Sequence, residues 1–260
     1  MKEGDWKPES TKQEQPIGGV WGKARTFSLQ NAQKLCRKPD IYVSPSSLQI
    51  QYIEVMAQVQ PELFFDTLKP YWLFYSDEFT GYTFSYGLRF LSIGNQVLKL
   101  EQSNLEKAVF MNALLGTSLN DAGVACFYSK YHYNKEHPLT YIKRVIDPNW
   151  QTALVHPITK EKNLTPPYPS YPSGHATFFS SGAEALGQIF GYTYKMKDLS
   201  HIDKPEIQLD REFLSFYDMA LEGSWSRVGT GTQLRMDLEE GIRFGSEIGR
   251  SVGKLPWQKK

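Results

Sequence analysis

The chain has 260 residues, of which 40% are apolar and 14% aromatic, and its net charge is +1. That length and apolar share support one sizeable core, with appendages. The near-neutral balance lacks the bulk field that binding to nucleic acid or an anionic membrane surface uses, and two cysteines, Cys36 and Cys126, cannot build a disulfide framework.

Taken in chain order, residues 1–48 read as an irregular arm. Gly, Pro, Ser, Gln and Lys are frequent and apolar periodicity is weak. Trp6, Trp21 and Phe27 lay this arm on the body. The helical domain is expected over 49–255. Ser46 and Ser47 precede Leu48, Ile50, Ile53 and Val55, a capped helix to about Gln60. Pro61 starts a second helical stretch from Glu62 to Tyr75, broken or kinked at Pro70, and Asp77–Tyr82 is a loop. Tyr86–Leu98 reads as a helix. Glu101–Tyr133 is the longest helical pattern. Its Leu105, Ala108, Met111, Leu115, Leu119, Ala122 and Cys126 recur every three or four residues, as a buried stripe does.

A proline-rich connection from Asn134 to Pro172 follows, long enough to suggest a functional loop. Ala176–Phe190 reads as a small-residue helix, and Lys195–Gln208 as a polar connector. Arg211–Glu222 reads as a helix with Phe213, Leu214, Tyr217 and Leu221 on its apolar face. Met236–Val252 closes the chain, with Gly241, Gly245 and Gly249 at every fourth position. Strand patterns are nearly absent, so the expected fold is all-α, a helical bundle. No apolar run is long enough to cross a membrane. The first residues lack the apolar core of a signal peptide, so the chain as given is expected in the cytoplasm, or in the periplasm or outside the cell if a signal has been removed.

Chemistry concentrates at Pro172-Ser173-Gly174-His175. Prolines 166, 167, 169 and 172 hold an extended arm that delivers Ser-Gly-His to a helix start. Helix N-termini carry unsatisfied N–H groups and the positive end of the dipole, so this is a candidate oxyanion site. Its bland alternative is a proline turn with a serine cap. Lys130 leaves the long helix, and Arg227 precedes a Gly/Thr-rich turn. Singly these read as surface cations. With Ser173 and the Gly174 amide they form the donor set that a tetrahedral oxyanion needs. His132, His156 and His201 lack metal-ligand spacing. His132 reads as structural, and His156 and His201 as loop residues.

These residues, in this order, resemble the vanadium-dependent haloperoxidase and type-2 phosphatidic-acid phosphatase superfamily, in its soluble bacterial haloperoxidase-like branch. The family's first motif is Lys, six residues, Arg-Pro, and here it reads Lys130, six residues, His137-Pro138. The second, Pro-Ser-Gly-His, is intact at Pro172–His175. The third, Ser-Arg, five residues and His, reads Ser226-Arg227, five residues, Gln233, with Asp237 four further on. The flanks Lys130–Asn134, Thr140–Ile142, Asp147–Trp150 and Glu239–Gly241 are similar too.

The resemblance implies that Lys130, His137, Ser173, Gly174 and Arg227 bind vanadate or phosphate oxygens. His175 is implied as the acid/base, with Thr232 and Asp237 beside the third-motif side chain. In the family that third-motif side chain is a histidine, which bonds vanadium or attacks phosphorus. Gln233 does neither, because the amide nitrogen lone pair is delocalised. His137 also lacks the permanent charge and forked donors of the family's arginine. Poor haloperoxidase and phosphomonoesterase turnover is therefore expected.

The reading that remains is a retained oxyanion cradle acting on a small organic phosphate or diphosphate ester without a phosphohistidine. His175, Asp237 and Gln233 are its catalytic candidates, and diphosphate elimination is one example of the chemistry. Phosphate or vanadate is the implied bound oxyanion. Mg is implied only for a diphosphate, and no protein metal site is expected. The alternatives are a vanadate-dependent haloperoxidase with unusual coordination, through His137 for instance, and a non-catalytic oxyanion-binding relative. Relatives in this branch carry further helices before the region that aligns here. Self-association is therefore expected to cover exposed helix faces, and neither nucleic acid nor an integral membrane is an expected partner.

Overall fold

A computed structural model describes residues 4–7, 16–39, 45–59, 74–75, 86–156, 159–162, 165–205 and 207–257. Among them are seven α-helices: α1 (Pro45–Gln58), α2 (Tyr86–Leu100), α3 (Leu105–Tyr133), α4 (Pro138–Val145), α5 (Gly174–Phe190), α6 (Phe216–Gly229) and α7 (Arg235–Gly253). One two-residue strand, β1 (Met196–Lys197), pairs antiparallel with another, β2 (Glu212–Phe213). The all-α expectation holds. The expected helix Glu62–Tyr75, apart from its last two residues, and the expected loop Asp77–Tyr82 lie outside the described residues.

Helix α5 is the axis of the bundle and packs against α2, α3, α6 and α7. Every residue from Gly174 to Gly187 is buried. That burial on all sides requires a slim helix, and Gly182, Ala183, Ser180 and Ser181 make it slim. The glycines of α7 complete the fit. A Cβ at Gly241 would lie 2.9 Å from the Ser173 carbonyl oxygen, one at Gly245 2.2 Å from that of Thr177, and one at Gly249 2.9 Å from that of Ser181. Both numbers of each pair advance by four, so α5 and α7 run parallel, backbone against backbone. The propensity cost of roughly 1 kcal/mol per helical glycine is the cost of that approach.

Apolar side chains fill the remaining faces in three clusters. Phe74, Tyr75, Phe90, Phe179 and Phe216 centre the largest, on the side of α2 and α6. Tyr52, Leu139, Ile142, Trp150 and Leu238 join α1, α4 and α7. Cys36, Ala122, Tyr171 and Phe244 seal the third around α3. Both cysteines are free and buried. The described parts of the N-terminal arm lie on the body, as the tryptophans suggested. Trp21 packs its ring 5.0 Å from that of Phe127. The Asp121 carboxylate accepts from the backbone N–H groups of Phe27 and Ser28.

Several expectations needed correction. Helix α3 starts after its Asn104 cap, and Leu105 is 79% exposed, so the buried stripe starts only at Met111. The connection Asn134–Pro172 contains α4. Pro138 is tolerated there at the first helical position, where its missing N–H has no partner to lose. Arg211–Phe213 is not helical: β2 ends at Phe213, and Ser215 caps α6 by accepting from the Asp218 N–H. Leu214 consequently points outward, at 67% exposure. His201 lies in a loop, as expected, and is fully buried there. Its Nε2 lies 2.8 Å from the Arg89 guanidinium, which also pairs with Asp198 at 2.8 Å.

Candidate functional site

The proline arm approaches the start of α5 and is anchored from both sides. Ser173 caps the helix: its Oγ accepts from the Ala176 N–H at 3.3 Å, and its own N–H donates to the Asp237 carbonyl at 2.9 Å. Gly174 and His175 form the first turn, where backbone donors face away from the helix. Lys130 reaches the arm from the last turn of α3. Its Nζ donates to the carbonyls of Pro169 at 2.9 Å, Ser170 at 2.7 Å and Pro172 at 2.7 Å. An ammonium has three protons, and all three are matched by these acceptors. Lys130 was expected to present a donor to the anion. In this geometry it instead braces the arm, and burial lowers its pKa.

His137 takes the place of the family's arginine and is equally enclosed. Its Nε2 lies 2.7 Å from the Tyr168 carbonyl and its Nδ1 3.3 Å from that of Thr232. Burial pushes its pKa down to about 4, and the two carbonyls offset this only in part. His137 thus links the proline arm to the third-motif turn, with both ring nitrogens directed at main-chain oxygen.

Arg227 sits in the last turn of α6, is 1% exposed, and donates from Nε to Ser226 Oγ at 3.1 Å. Its carbonyl gathers the turn by accepting from the N–H groups of Thr232 at 3.0 Å and Gln233 at 3.2 Å. Thr232 Oγ1 also donates to that carbonyl, at 3.1 Å. The turn therefore holds Gln233 beside Arg227. Gln233 Nε2 donates to Ser170 O at 3.3 Å and Ser170 Oγ at 3.2 Å, while its Oε1 is buried and meets no donor among the described residues. Asp237, in the first turn of α7, accepts from Ser170 Oγ at 2.7 Å and from the Leu234 N–H at 3.1 Å. Burial raises its pKa to about 6, and those two bonds pull the other way.

His175 is 5% exposed and hydrogen-bonded to the main chain of Tyr75. Burial first, then the charges of Arg227, Arg89 and Lys130, hold its pKa well below the usual histidine range. Sequence reasoning missed two contributors. Ser170 is the hub that joins Lys130, Gln233 and Asp237, and its only signal was a lone serine among prolines and tyrosines. Arg89 binds the segment at Phe74 through a main-chain carbonyl and acts electrostatically on His175. A cation in the first turn of α2, among apolar residues, was the signal for it. Of the eight expected residues, Lys130, Gln233 and Asp237 meet at Ser170, Ser173 joins them through the Asp237 carbonyl, His137 and Arg227 bond to the third-motif turn, and Gly174 and His175 follow Ser173 in the first turn of α5.

Residues 110–258 match the family described as the VCPO second helical-bundle domain. The chain belongs to that family. Its fold agrees with solved members of the vanadium haloperoxidases. A bacterial vanadium-dependent iodoperoxidase superposes with a TM-score of 0.83 at 24% identity, over 96% of this chain and 60% of that one. A bacterial vanadium-dependent chloroperoxidase in its apo form gives 0.65 at 14% identity, over 90% and 55%, and the holo form gives 0.62 at 13%, over 90% and 53%. The chain therefore spans little more than half the length of these enzymes. No curated protein matches it. No described helix is long and apolar enough to cross a membrane, and no group of His, Cys, Asp or Glu among the described residues could hold a metal ion.

In this member of the VCPO second-domain family, position 233, where the motif resemblance implies a histidine, is filled by an amide whose nitrogen is turned to Ser170. The residues present do not suit a metal–nitrogen bond there.

Proposed function

We propose that this protein binds the phosphate or diphosphate group of a small organic ester and promotes its cleavage without a phosphohistidine. The observation that carries the reading is the pairing of a buried Arg227 and an intact Ser173-Gly174-His175 helix start with an amide at position 233. Arg227 supplies the charge, and the first turn of α5 supplies backbone donors and the dipole. Lys130 and His137 support the reading indirectly, by holding the arm and the turn in place.

His175 is the acid/base in this proposal. With no anion bound, burial and three cations favour its neutral form. An anion bound at Arg227 reverses part of that field and raises the affinity of the imidazole for a proton. The substrate thus prepares its own general acid. A water molecule adds to phosphorus and releases a proton to solvent, the P–O ester bond breaks, and the departing alcohol oxygen takes the proton from His175. Covalent catalysis is not part of the proposal, because Gln233 offers no nucleophilic lone pair.

The test compares two activities of the full chain. Release of phosphate or diphosphate is measured from aryl and allylic esters. Halide oxidation is measured with peroxide, vanadate, and iodide or bromide. Ester cleavage above background is expected, with loss of at least about a hundredfold in His175→Asn, as for a general acid. Halide oxidation in the absence of any ester cleavage would refute the reading.

A further inference from the structure

The amide of Gln233 has a fixed orientation, set by its neighbours. Ser170 Oγ has one proton, and it goes to Asp237 Oδ2 at 2.7 Å. Oδ2 is the acceptor in that bond, because the Leu234 N–H also donates to it, at 3.1 Å. Both Ser170 oxygens that face Gln233, the carbonyl and Oγ, therefore offer only lone pairs. The end of the amide that meets them must be the NH2 group. Oε1 is left at the other end, on a side chain only 6% exposed, with no donor from the described residues. A buried acceptor without a donor is an unfavourable state that a ligand can relieve.

No described residue supplies that donor, and a ligand group that carries a proton can. Arg227, joined to Gln233 through main-chain hydrogen bonds at its carbonyl, places a buried cation on the same turn. Charge and hydrogen bonding together then describe a particular class of ligand. It is an oxyanion that keeps an O–H group at neutral pH, so that one oxygen accepts and another donates.

We infer that Gln233 is a specificity-determining residue, which makes this site select proton-bearing oxyanions such as hydrogen phosphate over fully deprotonated ones such as sulfate. The inference rests on the oxyanion reading above and narrows it. Sulfate matches phosphate in shape, but every oxygen it presents to Oε1 is an acceptor. Phosphate carries an O–H in both ionisation states that coexist near pH 7. Asp237 and Ser170 are positioning residues for this selection, since they fix which end of the amide faces the anion.

Calorimetric titration of the intact chain with sodium phosphate and with sodium sulfate, at pH 7 and constant ionic strength, tests the inference. Phosphate is expected to bind at least about tenfold tighter, the ratio that one hydrogen bond to a buried acceptor supplies. Gln233→Met, which keeps the length and removes the acceptor, should bring the ratio towards one. Ser170→Ala should lower it as well, by freeing the amide to turn. Equal binding of the two anions by the unsubstituted protein would overturn the selection while leaving an anion site in place. Binding of neither would overturn the oxyanion reading itself. The comparison in the unsubstituted protein decides the matter even if a variant fails to fold.

Discussion

Replacing Lys130 by Met separates two roles that the family motif merges. The side chain is fully buried, and its ammonium holds three carbonyls of one short arm at 2.7–2.9 Å. Methionine keeps most of the stem and removes all three donors. Leaving a buried carbonyl without its donor costs about 1–3 kcal/mol. Part is regained because the ammonium no longer has to be desolvated, which here is the main cause lowering its pKa. The expected net loss is about 3 kcal/mol, read from urea unfolding with an unchanged slope. The arm should loosen with it, so the Ser173 amide, now bonded to the Asp237 carbonyl, should exchange its hydrogen faster. If Lys130→Met keeps its stability within about 0.5 kcal/mol yet loses phosphate affinity, the ammonium acts on the ligand. The bracing role would then be refuted.

Acid should destabilise this fold. His137 has a folded pKa of about 4, below its unfolded value, so its contribution is complete above about pH 6.5 and is lost as pH falls towards 4. At pH 5 the loss from this residue alone is about 2 kcal/mol. His175 and His201 act in the same direction, because burial lowers both. Asp237 opposes them: its folded value of about 6 lies above the unfolded one, so protonation favours the native state. Unfolding free energy at pH 5 should therefore fall below that at pH 7, and Asp237→Asn should steepen the fall. A flat profile between these pH values would exclude the buried neutral histidines. In the bundle, Gly245→Ala would place a Cβ 2.2 Å from the Thr177 carbonyl oxygen, whereas at Gly116 nothing lies within 4 Å. The first should cost at least about 1–3 kcal/mol by overpacking, and Gly116→Ala should stabilise by up to about 1 kcal/mol. Thermal unfolding of the two variants checks the contrast.

Local chemistry carried much of this protein in plain view. Ser173 caps α5 because a serine after a proline arm and before a small-residue run has few other uses. The four-residue spacing of the α7 glycines marked one smooth face of that helix, and that face meets the backbone of α5. Boundaries were harder to read where two tendencies compete. Phe213 and Leu214 fit a helical face, yet pairing with β1 took Phe213 and left Leu214 in solvent. Helix α4 was hidden because the prolines around it read as a single loop.

By itself, the sequence determined the all-helical architecture, since periodicity and capping are local and additive, and its motif order named eight candidate site residues. It also determined what position 233 cannot do, because an amide lacks the lone pair of an imidazole whatever surrounds it. Only the tertiary structure decided what each site residue is engaged with. Lys130 and Gln233 are both potential anion donors on paper, but three carbonyls meet the first and Ser170 orients the second. These partners lie about 40 and 63 residues away along the chain, so no local pattern encodes them. Burial then lowers the proton affinity of His137 and His175 and raises that of Asp237, and burial is a property of the packed molecule.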